Sequence, residues 1–284
     1  MATIKKAKAK DAEKILPLFS ELNNPYLTRE DWQRLFQPHW DDSQDYCGYV
    51  MYDGDQAVGF LGLLFSQRII HGKEARFCNV SSWVVKEKYR RQSLYLLLPV
   101  LELHNHTITI LTCSADTYLI TKKLGFRDLE FGQRVILPIP CFPALISPNS
   151  IMINDPEIEK TLKGVPLKIF RDHQGLKCFH VMINSPQGVC YLVVSRTHKK
   201  RFPFAHIHYI SNHQIFMSHI SRVSGRLCWR MKVVALLVDE RLLLGGEVIP
   251  SIYFNLPHPR VYKSDTWKSE EVDTLYSEYQ VLNL

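Results

Sequence analysis

At 284 residues, with 46% hydrophobic and 11% aromatic content, the chain is long enough for one large or two ordinary globular domains and too apolar to be disordered. A formal charge of +7 and a pI near 9.0 favour an anionic ligand or partner, with coenzyme A, acyl carrier protein, tRNA and acidic membranes all compatible. Seven widely spaced cysteines without a Cys-x-x-Cys pair exclude a disulfide framework and read as a reduced, cytoplasmic pattern. The opening Met1-Ala2-Thr3-Ile4-Lys5-Lys6 lacks the apolar core of a signal peptide, and the longest apolar run, 94–101, is too short to span a bilayer.

In chain order, residues 3–9 predict a first strand. Asp11 would cap a helix through Leu22 with Ile15, Leu18, Phe19 and Leu22 on one face. Thr28-Arg29-Glu30-Asp31 opens a second helix that turns Trp32, Leu35 and Phe36 inward. Strands 46–52 and 56–66 meet at Asp53-Gly54, a strong hairpin signal, and 67–70 extends the second of them. His71-Gly72-Lys73 turns into the strand ending at Val85. A basic turn, 86–93, leads to a helix from Leu94 to about Leu103. Strand 107–111, helix 116–124 with its Gly125-Phe126 stop, and strand 129–137 complete this half.

Pro138, Pro140 and Pro143, followed by Ser147-Pro148-Asn149-Ser150, read as a semi-rigid linker between domains 1–138 and 150–284. The pattern then restarts with helix 156–163 and strands 177–184 and 188–197 around Pro186-Gln187-Gly188. Strand 205–211 feeds a helix from about Ile215 to Arg226. Strand 233–238, a short helix 239–244, a helix 269–277 and a last strand 279–284 follow. This β-β-β-α-β-α-β order matches the first half, although the identity between halves is too low to show a repeat by eye.

Cations placed where a strand feeds a helix make a natural anion site, because unpaired N–H groups and the helix dipole point there. The segment from Cys78 to Phe126 resembles the core of the GCN5-related N-acetyltransferase superfamily, whose phosphate turn reads Arg/Gln-x-x-Gly-x-Gly/Ala. Here Arg90-Arg91-Gln92-Ser93-Leu94-Tyr95 keeps the first Arg and loses both small residues. Lys122-Lys123-Leu124-Gly125-Phe126 resembles the family's helix ending, with Thr121 where a Tyr usually stands. The second half has His213-Gln214-Ile215-Phe216-Met217 at the corresponding place. The resemblance implies an α/β (α+β) fold of two mixed sheets flanked by helices in tandem, the first an acyl-coenzyme A-binding domain and the second degenerate.

The implied activity is transfer of an acetyl or longer fatty acyl group from acyl-coenzyme A to a primary amine of a small molecule or a Lys-type side chain of a peptide. Aminoacyl-tRNA or acyl carrier protein as donor, or a non-catalytic binding module, are the alternatives. By resemblance the backbone of Trp83, Val84 and Val85 would face the thioester, and Arg90, Arg91, Gln92, Ser93, Leu94 and Tyr95 would hold the pyrophosphate. Tyr118, one helical turn before Thr121, is the candidate acid, and Ser114 stands where the family often has Asn.

No carboxylate lies on the central strand, so a general base must come from a loop, from the second half, or through water. His71 and Glu74 are near in sequence. His206 and His208 share one face of the second half's equivalent strand and would suit proton removal, the alternative being plain surface-face residues. No metal is expected, since His206-x-His208 has no Cys or carboxylate at ligand spacing. Cys113, between a strand and a helix, reads as a structural thiol or a reactive one. Lys199-Lys200-Arg201 reads as a solvated hairpin turn able to meet an acidic carrier or nucleic acid, although nucleic acid is not the partner expected.

Overall fold

The computed structural model describes residues 2–37, 40–41, 43–138, 151–199 and 201–282. The proline-rich linker falls almost wholly outside the described residues. The chain forms two compact units that are not consecutive segments: the first holds Met1–Arg127, Arg260–Glu271 and Tyr276–Leu282, the second Asp128–Pro259 and Val272–Leu275. The boundary thus falls at residue 127 rather than between 138 and 150, and the chain's last segments return to the first unit.

In the first unit, β1 (Thr3–Ala7), β2 (Gly48–Asp53), β3 (Gln56–Ile70) and β4 (Lys73–Val85) pair antiparallel in sequence order. β5 (His106–Ile110) then lies parallel to β4, and the end of β12 (Ser251–Lys263) closes the sheet antiparallel to β5 through Val261, Tyr262 and Lys263. The helical segments α1 (Ala12–Ile15) with a 3-10 continuation to Leu22, and α2 (Arg29–Gln33), lie between β1 and β2. Thr28 accepts from the Asp31 N–H while Asp31 accepts from the Thr28 N–H, the reciprocal cap read from the sequence. Phe19 stacks on Trp32 at 4.5 Å and meets Phe60 edge-on at 5.8 Å, which fixes this helical layer to β3. On the core side, Leu61, Leu63, Phe65, Cys78, Val80 and Ile108 are buried together with Leu96, Leu97 and Val100 from the β4–β5 crossover.

That crossover differs from the expected helix. Residues Glu87–Leu96 form a 3-10 helix and only Leu98–Leu101 (α3) is α-helical. Leu94, Leu96, Leu97 and Val100 supply apolar anchors at the spacing this tighter winding needs to cover the sheet, and Pro99 sits in the first turn of α3. α4 (Ala115–Lys123) ends as expected, with Gly125 at φ 82°.

The second unit repeats the pairing scheme. β7 (Ile151–Ile153), β8 (Phe179–Ser185), β9 (Gly188–Lys199) and β10 (Phe202–Ile210) run antiparallel in turn. β11 (Ala235–Asp239) is parallel to β10, and β6 (Arg127–Ile136) closes antiparallel to β11. α5 (Glu157–Thr161) and α6 (Gly164–Asp172) stand between β7 and β8, and α7 (His213–Met231) is the β10–β11 crossover. α7 buries Ile215, Phe216, Ile220, Val223, Leu227 and Met231 on the sheet, a spacing that matches one helical face. The first unit's closing strand, β12, comes from beyond all the strands of the second unit, which is why a division into consecutive halves does not describe the chain.

Two terminal assignments change. Residues 269–277 are not a helix: only Ser269–Glu271 winds, as a 3-10 turn, and α8 (Glu278–Leu282) occupies the place expected of a last strand. Every residue of α8 is buried, polar Glu278 and Gln280 included.

Candidate active site

The site begins where two strands part. β4 and β5 pair from Arg76–His106 to Asn79–Thr109 and no further. Just beyond, β4 carries one extra residue against β3: Ser81 opposes Gly62 and Val84 opposes Phe60, leaving Ser82 and Trp83 against Leu61 alone. Ser82 adopts φ 53°, a left-handed conformation that a side chain takes only under constraint. A bulge at that point re-aims the strand end and frees its β5-facing edge.

The C-terminal segment reaches this opening. Glu278 donates its backbone N–H to Asn79 Oδ1 at 3.2 Å, and Asn79 Nδ2 donates to Thr109 Oγ1 at 3.2 Å. Thr112 Oγ1 donates to Glu278 Oε1 at 3.0 Å, and the Tyr279 hydroxyl donates to the Leu111 carbonyl at 2.9 Å. The other carboxylate oxygen, Oε2, is buried with no hydrogen-bond partner. Burial holds the Glu278 carboxyl at about 7, well above its ordinary 4.5, against the opposing pull of its hydrogen bonds and of Arg260. Just before it, Tyr276 has φ 57°, stacks edge-on with Trp40 at 5.2 Å and lies under the Arg68 guanidinium.

The expected donor residues are placed as follows. Val84 is buried, while Trp83, Val85 and Leu94 are half-buried against the apolar core. Trp83 Nε1 is buried without a partner. Arg90 and Arg91 are exposed, Arg90 lying 3.9 Å from Glu87. Gln92 and Ser93 are half-buried, and Tyr95 is 52% exposed. Tyr118 packs against the same core as Trp83 and Val85. Ser114 is the N-cap of α4, accepting from the Thr117 N–H at 3.2 Å and donating to Thr117 Oγ1, so its hydroxyl is spent on the helix end. Thr121, at the family's Tyr position, is buried and donates to the Thr117 and Tyr118 carbonyls. Cys113 Sγ lies 3.6 Å from the Ile110 carbonyl.

His206 and His208 are not surface residues. Both are buried in the second unit, their ring centroids 4.2 Å apart. β10 has its own bulge at His208, immediately past the last β10–β11 pair, Ile207–Val238. His206 Nε2 meets Asp239 Oδ1 at 3.3 Å and Gln133 Nε2 at 3.2 Å, while Ser195 Oγ and Thr274 Oγ1 meet the two nitrogens of His208 at 2.8 and 3.2 Å. Their burial is met by partners on neighbouring strands and the 272–275 segment, at both ring nitrogens of His208 and at Nε2 of His206. Among the described residues no cluster of His, Cys, Asp and Glu is arranged to hold a metal.

The first unit also has a cleft of about 200 Å³ between the α2–β2 connection and β3, lined by Phe36, Trp40, Asp41, Tyr46 and Phe65. Asp41 Oδ1 accepts from the Ser43 N–H and from Gln67, whereas its Oδ2 is buried without a partner. Sequence reasoning missed Glu278, Asn79 and this cleft. The one local sign was Asn79, a polar residue just after Phe77-Cys78 on the central strand.

No family model matches the sequence, and no curated protein does. The fold, a mixed sheet flanked by helices in each unit, is that of the GCN5-related N-acetyltransferases. A GCN5-related N-acetyltransferase from Anabaena variabilis superposes with a TM-score of 0.58 at 11% identity, over 92% of this chain and 72% of that one. An Enterococcus faecalis protein described as a probable N-acyltransferase gives 0.60 at 11% identity over the same shares. Saccharomyces cerevisiae N-myristoyltransferase with bound myristoyl-CoA gives 0.52 at 10% identity, over 93% of this chain and 79% of that one. At such identities the likeness is one of fold.

Proposed function

We propose that the protein is an acyl-coenzyme A-dependent N-acyltransferase whose donor lies along the free edge of β4 in the first unit. The observation that carries this reading is the bulge at Ser82 just past the end of the β4–β5 ladder, with the buried carboxylate of Glu278 tied to Asn79 at the same point. Backbone N–H groups on an unpaired strand edge are preorganised donors for the negative charge that develops on a thioester oxygen when an amine attacks. Glu278, held near neutrality and with one oxygen unpartnered, suits removal of a proton from an ammonium. The thiolate of coenzyme A then leaves, and Tyr118 is the nearest reading for its proton donor.

The residues fit an acyl-coenzyme A with one adjustment. The 3-10 winding from Glu87 removes the α-helical N-terminus expected at the phosphates, so side-chain charge from exposed Arg90 and Arg91 would replace the dipole and the lost glycines. Trp83, Val85 and Leu94 make the wall beside this edge apolar, and on that account the donor proposed carries an acyl chain longer than acetyl. The amine acceptor would enter by the aromatic cleft, where the unpartnered oxygen of Asp41 suits a cation and Trp40 leads to Tyr276, two residues before Glu278.

The test is calorimetry with acetyl-, octanoyl- and palmitoyl-coenzyme A, followed by thiol release with a panel of primary amines. Binding of a longer acyl donor and amine-dependent thiol release are the expected results. Binding without release would leave a non-catalytic module, and no binding would remove acyl-coenzyme A altogether.

A further inference from the structure

Residues 173–238 contain no Asp or Glu and hold nine Lys or Arg. Since the whole chain carries +7 and this stretch +9, the remainder is net −2. The net positive charge of the protein is therefore carried by this one stretch of the second unit, and the fold gathers much of it at one end. The β9–β10 hairpin pairs Lys199 with Phe202, and the Val234 N–H donates to the Pro203 carbonyl at 2.9 Å. That bond sets the α7–β11 connection against the hairpin, so Lys199, Arg201, Arg230 and Lys232, all exposed, share the end where β10 and β11 begin.

Large apolar side chains stand among these cations. Trp229, in the last turn of α7, is 70% exposed, Phe202 48% and Val234 43%. Arg226 lies over the Trp229 ring at 5.7 Å and Arg201 over Phe202 at 5.4 Å. Isolated exposed apolar residues are ordinary, but three of them set among cations in an acid-free segment form one amphipathic surface.

We propose that this end of the second unit docks on an anionic lipid surface, with Trp229, Phe202 and Val234 entering the headgroup boundary and the cations pairing with lipid phosphates. The apolar members favour lipid over nucleic acid: an aliphatic Val234 has no face on which a base can stack, and Arg226 already covers one face of Trp229. Indole and guanidinium at the same level is the pattern of a membrane interface. The contact is peripheral, because no helix among the described residues is long and apolar enough to cross a bilayer.

The experiment is co-sedimentation of the full chain with phosphatidylcholine vesicles, with and without phosphatidylglycerol, across a salt series. Partition to the phosphatidylglycerol vesicles is expected, falling as salt rises, with little partition to phosphatidylcholine alone. The triple variant R201Q/R230Q/K232Q should weaken partition by about tenfold or more, and Trp229→Ser by several-fold. A blue shift of emission on binding, absent in Trp229→Phe, would place that indole in the boundary. If the triple variant does not keep the native thermal midpoint, Trp229→Ser and Trp229→Phe carry the test. Equal partition to both vesicle types, no partition, or unchanged partition of a folded triple variant overturns the proposal. So does displacement of the protein from vesicles by a single-stranded oligonucleotide that binds it more tightly.

Discussion

The backbone of Glu278 is hydrogen-bonded at 3.2 Å to the side chain of Asn79, a residue 199 positions earlier, at the last rung before β4 and β5 separate. The bond does two things. It satisfies the amide of a buried segment that begins with a strained Tyr276, and it fixes a carboxylate beside a strand edge that has lost its partner. Asn79 is held from its other side by Thr109, so neither group can drift without breaking a chain of buried hydrogen bonds.

A first prediction follows from the ionisation of Glu278. Its native pKa of about 7 lies above the ordinary 4.5, so the unfolded chain ionises first as pH rises. Stability from this group is whole below about pH 4.5, declines between there and 7, and is lost above, by on the order of 3 kcal/mol in total. Glu278→Gln should flatten that part of the pH–stability curve and raise the melting temperature above pH 7. The same variant should lower kcat/KM by about a hundredfold or more and abolish an ionisation near neutrality in its pH profile. A variant with the wild-type profile would exclude Glu278 as the base.

Much of the framework was legible beforehand, for reasons of local chemistry. Asp53-Gly54 permits only a tight hairpin, and Thr28 with Asp31 closes a reciprocal cap, so both are written in a few adjacent residues. β12 was not legible because Pro257 and Pro259 interrupt it, and prolines within a run argue against a central strand. Glu278 was hidden for a different reason. In sequence it stands in a mixed polar C-terminus, and its burial arises from tertiary contacts, its bonds to the distant Asn79 and Thr112 among them. His206 and His208 were found as a pair on one strand face, yet their partners Ser195, Asp239 and Thr274 are distant in sequence, so burial could not be read.

The second prediction concerns Arg90 and Arg91. Both are exposed, and the Glu87 contact of Arg90 is a long, solvent-screened pair, so Ala at both positions should leave the thermal midpoint nearly unchanged. Acyl-coenzyme A affinity should fall by about tenfold or more and lose part of its salt dependence. Titration calorimetry of the double variant decides this. Unchanged affinity would mean that the phosphates are held elsewhere.

Gly48 supplies a third, purely structural test. It opens β2 opposite Gly62, and a Cβ built there would lie 2.3 Å from the Leu61 carbonyl and 2.9 Å from the Phe60 ring. The obstructing oxygen is backbone within β3, which also forms the bulged pairing with β4, so it cannot simply rotate away. Gly48→Ala should cost about 1–3 kcal/mol as overpacking, read by chemical denaturation. A neutral effect would show that β2 and β3 separate more easily than their register implies.

The fourth prediction separates the histidines of the second unit from the chemistry. His208 accepts or donates at both ring nitrogens within 3.2 Å, and His206 is shared between Gln133 and Asp239. Removing a ring takes one hydrogen bond from each of Ser195 and Thr274, or from Asp239 and Gln133, inside the core, a loss of about 1–3 kcal/mol for a neutral group and more for the carboxylate. His208→Ala and His206→Ala should therefore both lower stability, since each leaves buried polar groups with fewer partners. If the pair only holds the fold, the surviving native fraction will show the wild-type pH profile of kcat/KM, in contrast to Glu278→Gln. If one of them removes the substrate proton, its variant will lose the ionisation that Glu278→Gln retains. Measuring both profiles on protein kept folded at low temperature assigns the base to one unit or the other.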